Sequence, residues 1–180
     1  MVIQNLLFSK TGRKFEMLPR IVYPGSFDPI TNGHLNIIER ASNVFDEIIV
    51  SVFRNPSKDP LFTMDERVEL LEKSTADIKG VKVDSFSGLT MQYVKSKNAS
   101  AILRGLRAVS DFEGEFQMAS MNKKLDGDIE TIFFMADSKY AFLSSSVIKE
   151  VAQFGGNIDE LVPPSVSEAL QEKYKVEENN

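Results

Sequence analysis

The sequence predicts an α/β fold: a Rossmann-like, doubly wound parallel sheet of five strands. Short apolar runs rich in β-branched and aromatic residues alternate with longer segments of helical periodicity. Within the short runs apolar residues follow one another directly, as in strands covered on both faces. Strand–helix alternation at this spacing needs crossover helices, which makes the pairing parallel.

The first strand is expected at 20–23, RIVY. Residues 33–45 follow as a helix, with Leu35, Ile38, Ala41 and Phe45 at helical spacing. EIIVSVF at 47–53 is the second strand. Residues 63–78 open with T-M-D-E, an N-cap with acidic residues in the first turn, and read as a helix. Residues 81–86 make the third strand, 90–96 a short helix and ASAIL at 99–103 the fourth strand. A helix is expected at 111–125, with Phe112, Phe116, Met118 and Ala119 turned to the core. TIFFM at 131–135 is the fifth strand, and helices at 145–154 and 165–174 close the chain.

Residues 1–19 read as an N-terminal extension outside the core, 20–175 as one domain and 176–180 as a disordered tail. The composition is that of a soluble globular protein, 42% hydrophobic and 26% charged, with formal net charge −5. That balance argues against a surface given over to nucleic acid. With no cysteine and one histidine, thiol nucleophiles, disulfide frameworks, thiolate metal sites and His-rich zinc sites are excluded. No apolar run approaches the roughly 18 residues of a membrane span, and the simplest location is the cytoplasm.

In a doubly wound sheet ligands bind at the carboxyl ends of strands. The loops there are 24–33, 54–62, 87–90, 104–110 and 136–145. In the first, P-G-S-F-D-P follows a strand, Ser26 offers a hydroxyl and an amide, and His34 falls in the first turn of a helix just after Gly33. Backbone N–H groups at such a helix start attract anions, and a histidine there can donate to a phosphate oxygen. A helix-cap histidine is the plainer alternative. Lys58 stands in the turn-rich N-P-S-K-D-P loop, either facing the ligand or simply solvated. Arg104 and Arg107 flank Gly105 beyond the fourth strand, suited to two phosphates or to ion pairs with Asp111 or Glu113. Ser144, Ser145 and Ser146 open a helix as a cap, a second phosphate cradle, or both.

These motifs carry a family resemblance. T-N-G-H at 31–34 is similar to the (T/H)-x-G-H signature of the nucleotidyltransferase superfamily. The longer YPGSFDPITNGH, with LRGLRAVSDFEGEF at 103–116, FLSSSVIKEV at 142–151 and N-P-S-K at 55–58, resembles the phosphopantetheine adenylyltransferases. The resemblance runs from about residue 20 to 174. It implies adenylyl transfer from ATP to 4′-phosphopantetheine, giving dephospho-coenzyme A and pyrophosphate, with Mg²⁺ carried on ATP and no metal ligands from the protein.

By the same resemblance His34, Lys58, Ser26 and Arg107 carry the catalysis. Ser26, Lys58, Thr90 and Arg104 bind phosphopantetheine. ATP meets Ser26, Phe27, His34, Gly105, Leu106, Arg107, Glu115, Tyr140, Ala141, Phe142, Leu143, Ser144, Ser145 and Ser146. The partners are these small molecules, with neither nucleic acid nor membrane, and the family assembles as a homohexamer. Three positions depart from the family pattern: Ser26 stands for threonine, Thr90 for a larger apolar residue, and Gly114 for an aromatic.

Thr31 in place of histidine separates the chain from nicotinamide-mononucleotide adenylyltransferases, and its serine segment separates it from glycerol-phosphate cytidylyltransferases. A non-catalytic nucleotide-binding protein on the same fold is the rival from another class.

Overall fold

The structure, a computed structural model, describes residues 6–8, 14–16, 18–54 and 59–178. It opens with β1 (Leu6–Phe8) and β2 (Lys14–Glu16), an antiparallel pair in a segment where the sequence suggested no element. Then come β3 (Leu18–Gly25), α1 (Asn32–Ala41), β4 (Phe45–Phe53), α2 (Met64–Thr75), β5 (Val81–Phe86) and α3 (Thr90–Ser96). The chain continues through β6 (Ala101–Leu106), α4 (Val109–Leu125), β7 (Glu130–Met135), α5 (Ser145–Gln153) and α6 (Pro164–Glu178).

β3 to β7 form the five-stranded parallel sheet, in the order β5-β4-β3-β6-β7. From β3 the chain winds outward to β5, returns through α3 to β6 on the other side of β3, and winds outward again to β7. The direction of winding therefore reverses between β3 and β6.

Alternate residues of each strand enter two cores. Ile21, Tyr23, Ile48, Val50 and Leu103 face one side of the sheet, where α1, α2, α5 and α6 lay Ile37, Leu71, Ile148 and Leu170 against them. Val22, Ile49 and Ile102 face the other, under Met91 and Val94 of α3. Burying each large aliphatic side chain contributes about 1.5–3 kcal/mol. Two helices begin on threonines, of which Thr63 is the expected cap. Thr63 Oγ1 accepts from the Glu66 N–H at 3.3 Å while Glu66 Oε2 accepts from the Thr63 N–H at 2.7 Å, closing a capping box on α2. Thr31 caps α1 in the same way, with His34 as the reciprocal partner.

Three readings differ from the sequence expectation for physical reasons. Phe45 ends no helix: it is 3% exposed and pairs with Leu18 at the start of β4, because an apolar residue satisfies either period. β6 runs on through Arg104, Gly105 and Leu106, since β7 pairs with all three. Phe112, Phe116 and Met118 of α4 do not enter the core; they are 48%, 57% and 56% exposed. α4 packs on the sheet margin and leaves an apolar face outward.

Gly105 shows how tightly the seam is built. A Cβ there would lie 2.4 Å from Ile37 Cδ1 and 3.2 Å from Tyr23 Oη. Gly105→Ala is expected to cost about 1–3 kcal/mol through overpacking. Chemical denaturation checks this, and an unchanged midpoint would mean that α1 yields without cost.

Candidate active site

β3 and β6 pair only through Ile21–Ala101 and Val22–Ile102. β4 stays paired with β3 to Gly25, and β7 stays with β6 to Leu106. The sheet thus parts along one seam, at its carboxyl end and at the point where winding reverses, the expected position of a ligand crevice. Arg104 reaches across the parting, its Nη1 donating to the Pro24 carbonyl at 2.9 Å.

A cavity of about 570 Å³ opens here. Tyr23, Gly25, Ser26, Phe27 and His34 line it from the first loop and helix, Arg104, Gly105 and Arg107 from β6 and its loop, Glu115 from α4, and Ser144, Ser145 and Ser146 from the start of α5. Ser26, Ser145 and Ser146 also line a second lobe of about 680 Å³, with Asp28, Arg54, Asp59, Arg67 and Lys149. The crevice is therefore two lobes sharing a wall of three serines.

His34 is held through Nδ1 and by a ring contact. Its Nδ1 accepts from the Thr31 backbone N–H at 3.1 Å and lies 3.1 Å from Thr31 Oγ1. The Phe27 ring meets it edge-on, centroids 5.2 Å apart. Phe27 sits at φ 44°, a left-handed conformation that a bulky residue rarely takes, and is itself 2% exposed. Removal from water, and then the positive charges of Arg107 and Arg104, push the imidazole down to about 4. His34 is therefore neutral near pH 7. Because Nδ1 accepts from a backbone N–H, the single ring proton belongs on Nε2.

Each arginine is oriented by a carboxylate of α4. Arg104 Nε and Nη2 donate to the two oxygens of Glu115 at 2.6 and 2.5 Å. Burial works against the Arg104 charge, but Glu115 more than offsets it and holds the guanidinium above its ordinary value. Arg107 Nε and Nη2 both donate to Asp111 at 3.1 Å, and Nη1 donates to the Leu143 carbonyl at 2.6 Å. Burial resists the Asp111 charge, yet hydrogen bonds from Arg107 keep its carboxyl below the usual range.

The structure brings together Ser26, Phe27, His34, Arg104, Gly105, Arg107, Glu115, Ser144, Ser145 and Ser146. Leu106 is buried beneath them at 6% exposure, and Leu143 at 2% offers its carbonyl to Arg107. The Tyr140 side chain lies against Gly33, where an added Cβ would be 3.4 Å away. Ala141 and Phe142 follow on the loop before α5, with Phe142 64% exposed. Thr90 begins α3, and no described lobe of the crevice includes it. Lys58 lies outside the described residues. The ion-pair alternative for the arginines also holds, with Asp111 on Arg107 as expected, but Arg104 takes Glu115 rather than Glu113.

Sequence reasoning gave no role to Asp28, Arg67 or Lys149. Lys149 ends the S-S-S-x-x-K run and could have been singled out there; the partners of Asp28 and Arg67 are distant in sequence. Among the described residues no group of three or more His, Asp or Glu could hold a metal ion, and no helix is long and apolar enough to cross a membrane.

A parallel sheet split at its reversal point, with a neutral histidine and two oriented arginines at the split, defines a nucleotidyltransferase. The cytidylyltransferase-like family model matches residues 22–151. Two solved structures share the fold at 18% identity. One, from Vibrio parahaemolyticus and assigned as a nicotinate-nucleotide adenylyltransferase, has TM-score 0.65 and covers 86% of this chain and 99% of its own. The other, Plasmodium falciparum nicotinic acid mononucleotide adenylyltransferase, has TM-score 0.62 and covers 91% and 98%. A curated phosphopantetheine adenylyltransferase from Caldanaerobacter subterraneus subsp. tengcongensis is 58% identical over 154 residues, 86% of this chain and 96% of that protein. The chain belongs to the phosphopantetheine adenylyltransferase family.

Because His34 is the only histidine, its titration is directly readable by NMR. Its ring signals are expected to stay in the neutral Nε2–H form through pH 7 and to titrate near pH 4. A midpoint close to the ordinary value of about 6.5 would overturn this. With the folded value below the unfolded one, the linked stability is present above about pH 6.5 and is lost as pH falls toward 4.

Proposed function

We propose that this enzyme transfers the adenylyl group of ATP to the phosphate of 4′-phosphopantetheine in coenzyme A synthesis. A phosphate oxygen of phosphopantetheine forms a bond to the α-phosphorus of ATP. The bond from that phosphorus to the bridging oxygen breaks, and pyrophosphate leaves with the electron pair. The attacking monoester is already anionic near neutral pH, so the reaction needs positioning and charge stabilisation more than a base.

Family membership supports the choice of substrates. The observation that carries the chemistry is the convergence of Ser26, His34, Arg104 and Arg107 on one cavity at the parted seam. Neutral His34 donates through Nε2 to a phosphate oxygen of ATP as charge grows there. Ser26 and Lys58 hold the attacking phosphate, and Arg104 binds phosphopantetheine, with Thr90 assigned to the same substrate by resemblance. Arg107 and the α5 start at Ser144, Ser145 and Ser146 hold the β- and γ-phosphates, where backbone N–H groups and the helix dipole favour anions. Glu115 acts through the Arg104 guanidinium it grips. Mg²⁺ reaches the site on the ATP phosphates, as part of the substrate. The reaction is placed in the cytoplasm.

Pyrophosphate release is measured with ATP, CTP and GTP against phosphopantetheine, nicotinamide mononucleotide and glycerol phosphate. ATP with phosphopantetheine alone is expected to turn over strongly, and strong turnover with another acceptor would sink the assignment. His34→Ala is expected to remain folded and lose about 100- to 1,000-fold in kcat, with a smaller effect on KM. Near-native kcat in the folded variant would remove His34 from the chemistry.

The assembly is read as a homohexamer. The exposed face of α4, with Phe116, Met121 and Leu125 each more than half exposed, supports self-association. Sedimentation is expected to give six times the 20.2 kDa chain mass, and Phe116→Glu with Met121→Glu a smaller species. A native chain that sediments as a monomer would refute the hexamer.

A further inference from the structure

Asp28 takes no part in the reaction as assigned above, yet it is a charged residue only 7% exposed that lines the second lobe, two residues from Ser26 of the shared wall. Its carboxylate is met from two segments distant in sequence. The Leu61 N–H donates to Oδ2 at 3.1 Å and the Phe62 N–H to Oδ1 at 2.9 Å, tying down the loop that follows β4. Lys149 Nζ, on α5, donates to Oδ2 at 2.5 Å. Beside it Arg67, 4% exposed, donates from Nη1 to the Ser26 carbonyl at 2.8 Å and from Nε to the Thr63 carbonyl at 3.2 Å. Ser145 Oγ donates to the Pro29 carbonyl at 2.7 Å.

One carboxylate thus joins three segments that each face the crevice: the loop carrying Ser26, the loop after β4 with Asp59, and the α5 turn carrying Ser145, Ser146 and Lys149. We infer that Asp28 is a positioning residue for adenylyl transfer, fixing the Lys149 ammonium and the Ser26 loop against each other at the wall between the lobes. This rests on the reaction proposed above. The geometry calls for a carboxylate. Two N–H groups and an ammonium all donate to it, and an asparagine in its place would turn an amide N–H₂ toward one of them. The two lobes are then held in register, which in-line displacement between two bound phosphates demands.

Asp28→Asn, Lys149→Met and the double variant separate this role from a loop staple, because Lys149→Met leaves both backbone N–H bonds to Asp28 intact. In folded Asp28→Asn and Lys149→Met, kcat is expected to fall about 10- to 100-fold, the scale of a misplacement near 1 Å. ATP affinity by calorimetric titration should change less than about 3-fold, since His34 and Arg107 are oriented by Thr31, Asp111 and the Leu143 carbonyl rather than by Asp28. The double variant should lose no more than the worse single, as two residues acting through one contact do. A Lys149→Met enzyme with kcat within about 2-fold of native, or losses that multiply in the double variant, would overturn the inference. If Asp28→Asn does not fold, Lys149→Met decides alone. Native enzyme that fails to turn over ATP and phosphopantetheine in the same assay would overturn the proposed reaction, and this inference with it.

Discussion

β3 and β6 are hydrogen-bonded neighbours only as far as Val22 and Ile102, and beyond that pair the facing edges of two central strands need other partners. Unpaired backbone groups inside a sheet are costly unless something else satisfies them. Here a side chain does: Arg104 fills the parting and donates to the Pro24 carbonyl. The guanidinium can stay there because Glu115 grips its other edge. The chain leaves the carboxyl ends of β3 and β6 in opposite directions, so the topology itself opens the cavity at the parted ends. Gly105 then lets Ile37 and Tyr23 approach the backbone of β6 and close the floor. The split in the sheet, its plug and its floor form one packing solution, and Ser26, His34 and Arg107 stand around it.

The same seam sets the state of His34. Removal from water makes a proton on this imidazole costly, and the two guanidiniums nearby add to that resistance. Thr31 meanwhile occupies Nδ1 and leaves Nε2 as the donor. A helix cap at Nδ1 and the proposed phosphate donor at Nε2 are therefore one residue used at its two ends. A capping histidine and a functional one are compatible readings, since the cap fixes the tautomer that the proposed chemistry requires. Ser144 follows the same logic: its hydroxyl accepts from the Val147 N–H at 3.1 Å while the residue lines the cavity.

Much of this was legible in the sequence, because the fold is written in local periodicity. The order of strands and helices in the sheet domain followed from β-branched runs and helical spacing, and α3 matched the expected 90–96. Boundaries drifted where one residue fits two patterns, as Phe45 does. The cavity residues were legible because they cluster in three short strings at strand ends. Less legible were contacts whose meaning depends on residues far along the chain. Asp28 and Lys149 are 121 positions apart, and nothing local in either announces the other. The α4 face was misread for a related reason. Its Phe and Met residues have the composition of a core, but a helix at the sheet margin has no second layer to receive them.

Charge balance ties the site to its substrates. The cavity at the seam holds Arg104 with Glu115 and Arg107 with Asp111, two cations each bonded to one anion. Lone guanidiniums in a recess would be poorly solvated and free to rotate, whereas pairing keeps each fork aimed without adding net charge. The cost is that a phosphate must compete with a carboxylate for the same cation. A phosphate dianion, with more charge and three acceptor oxygens, competes well. A neutral or singly charged molecule does not. In the proposed reaction the paired arginines discriminate by charge density, a property that both ATP and a terminal phosphate monoester possess, and the α4 carboxylates help to select what enters the site.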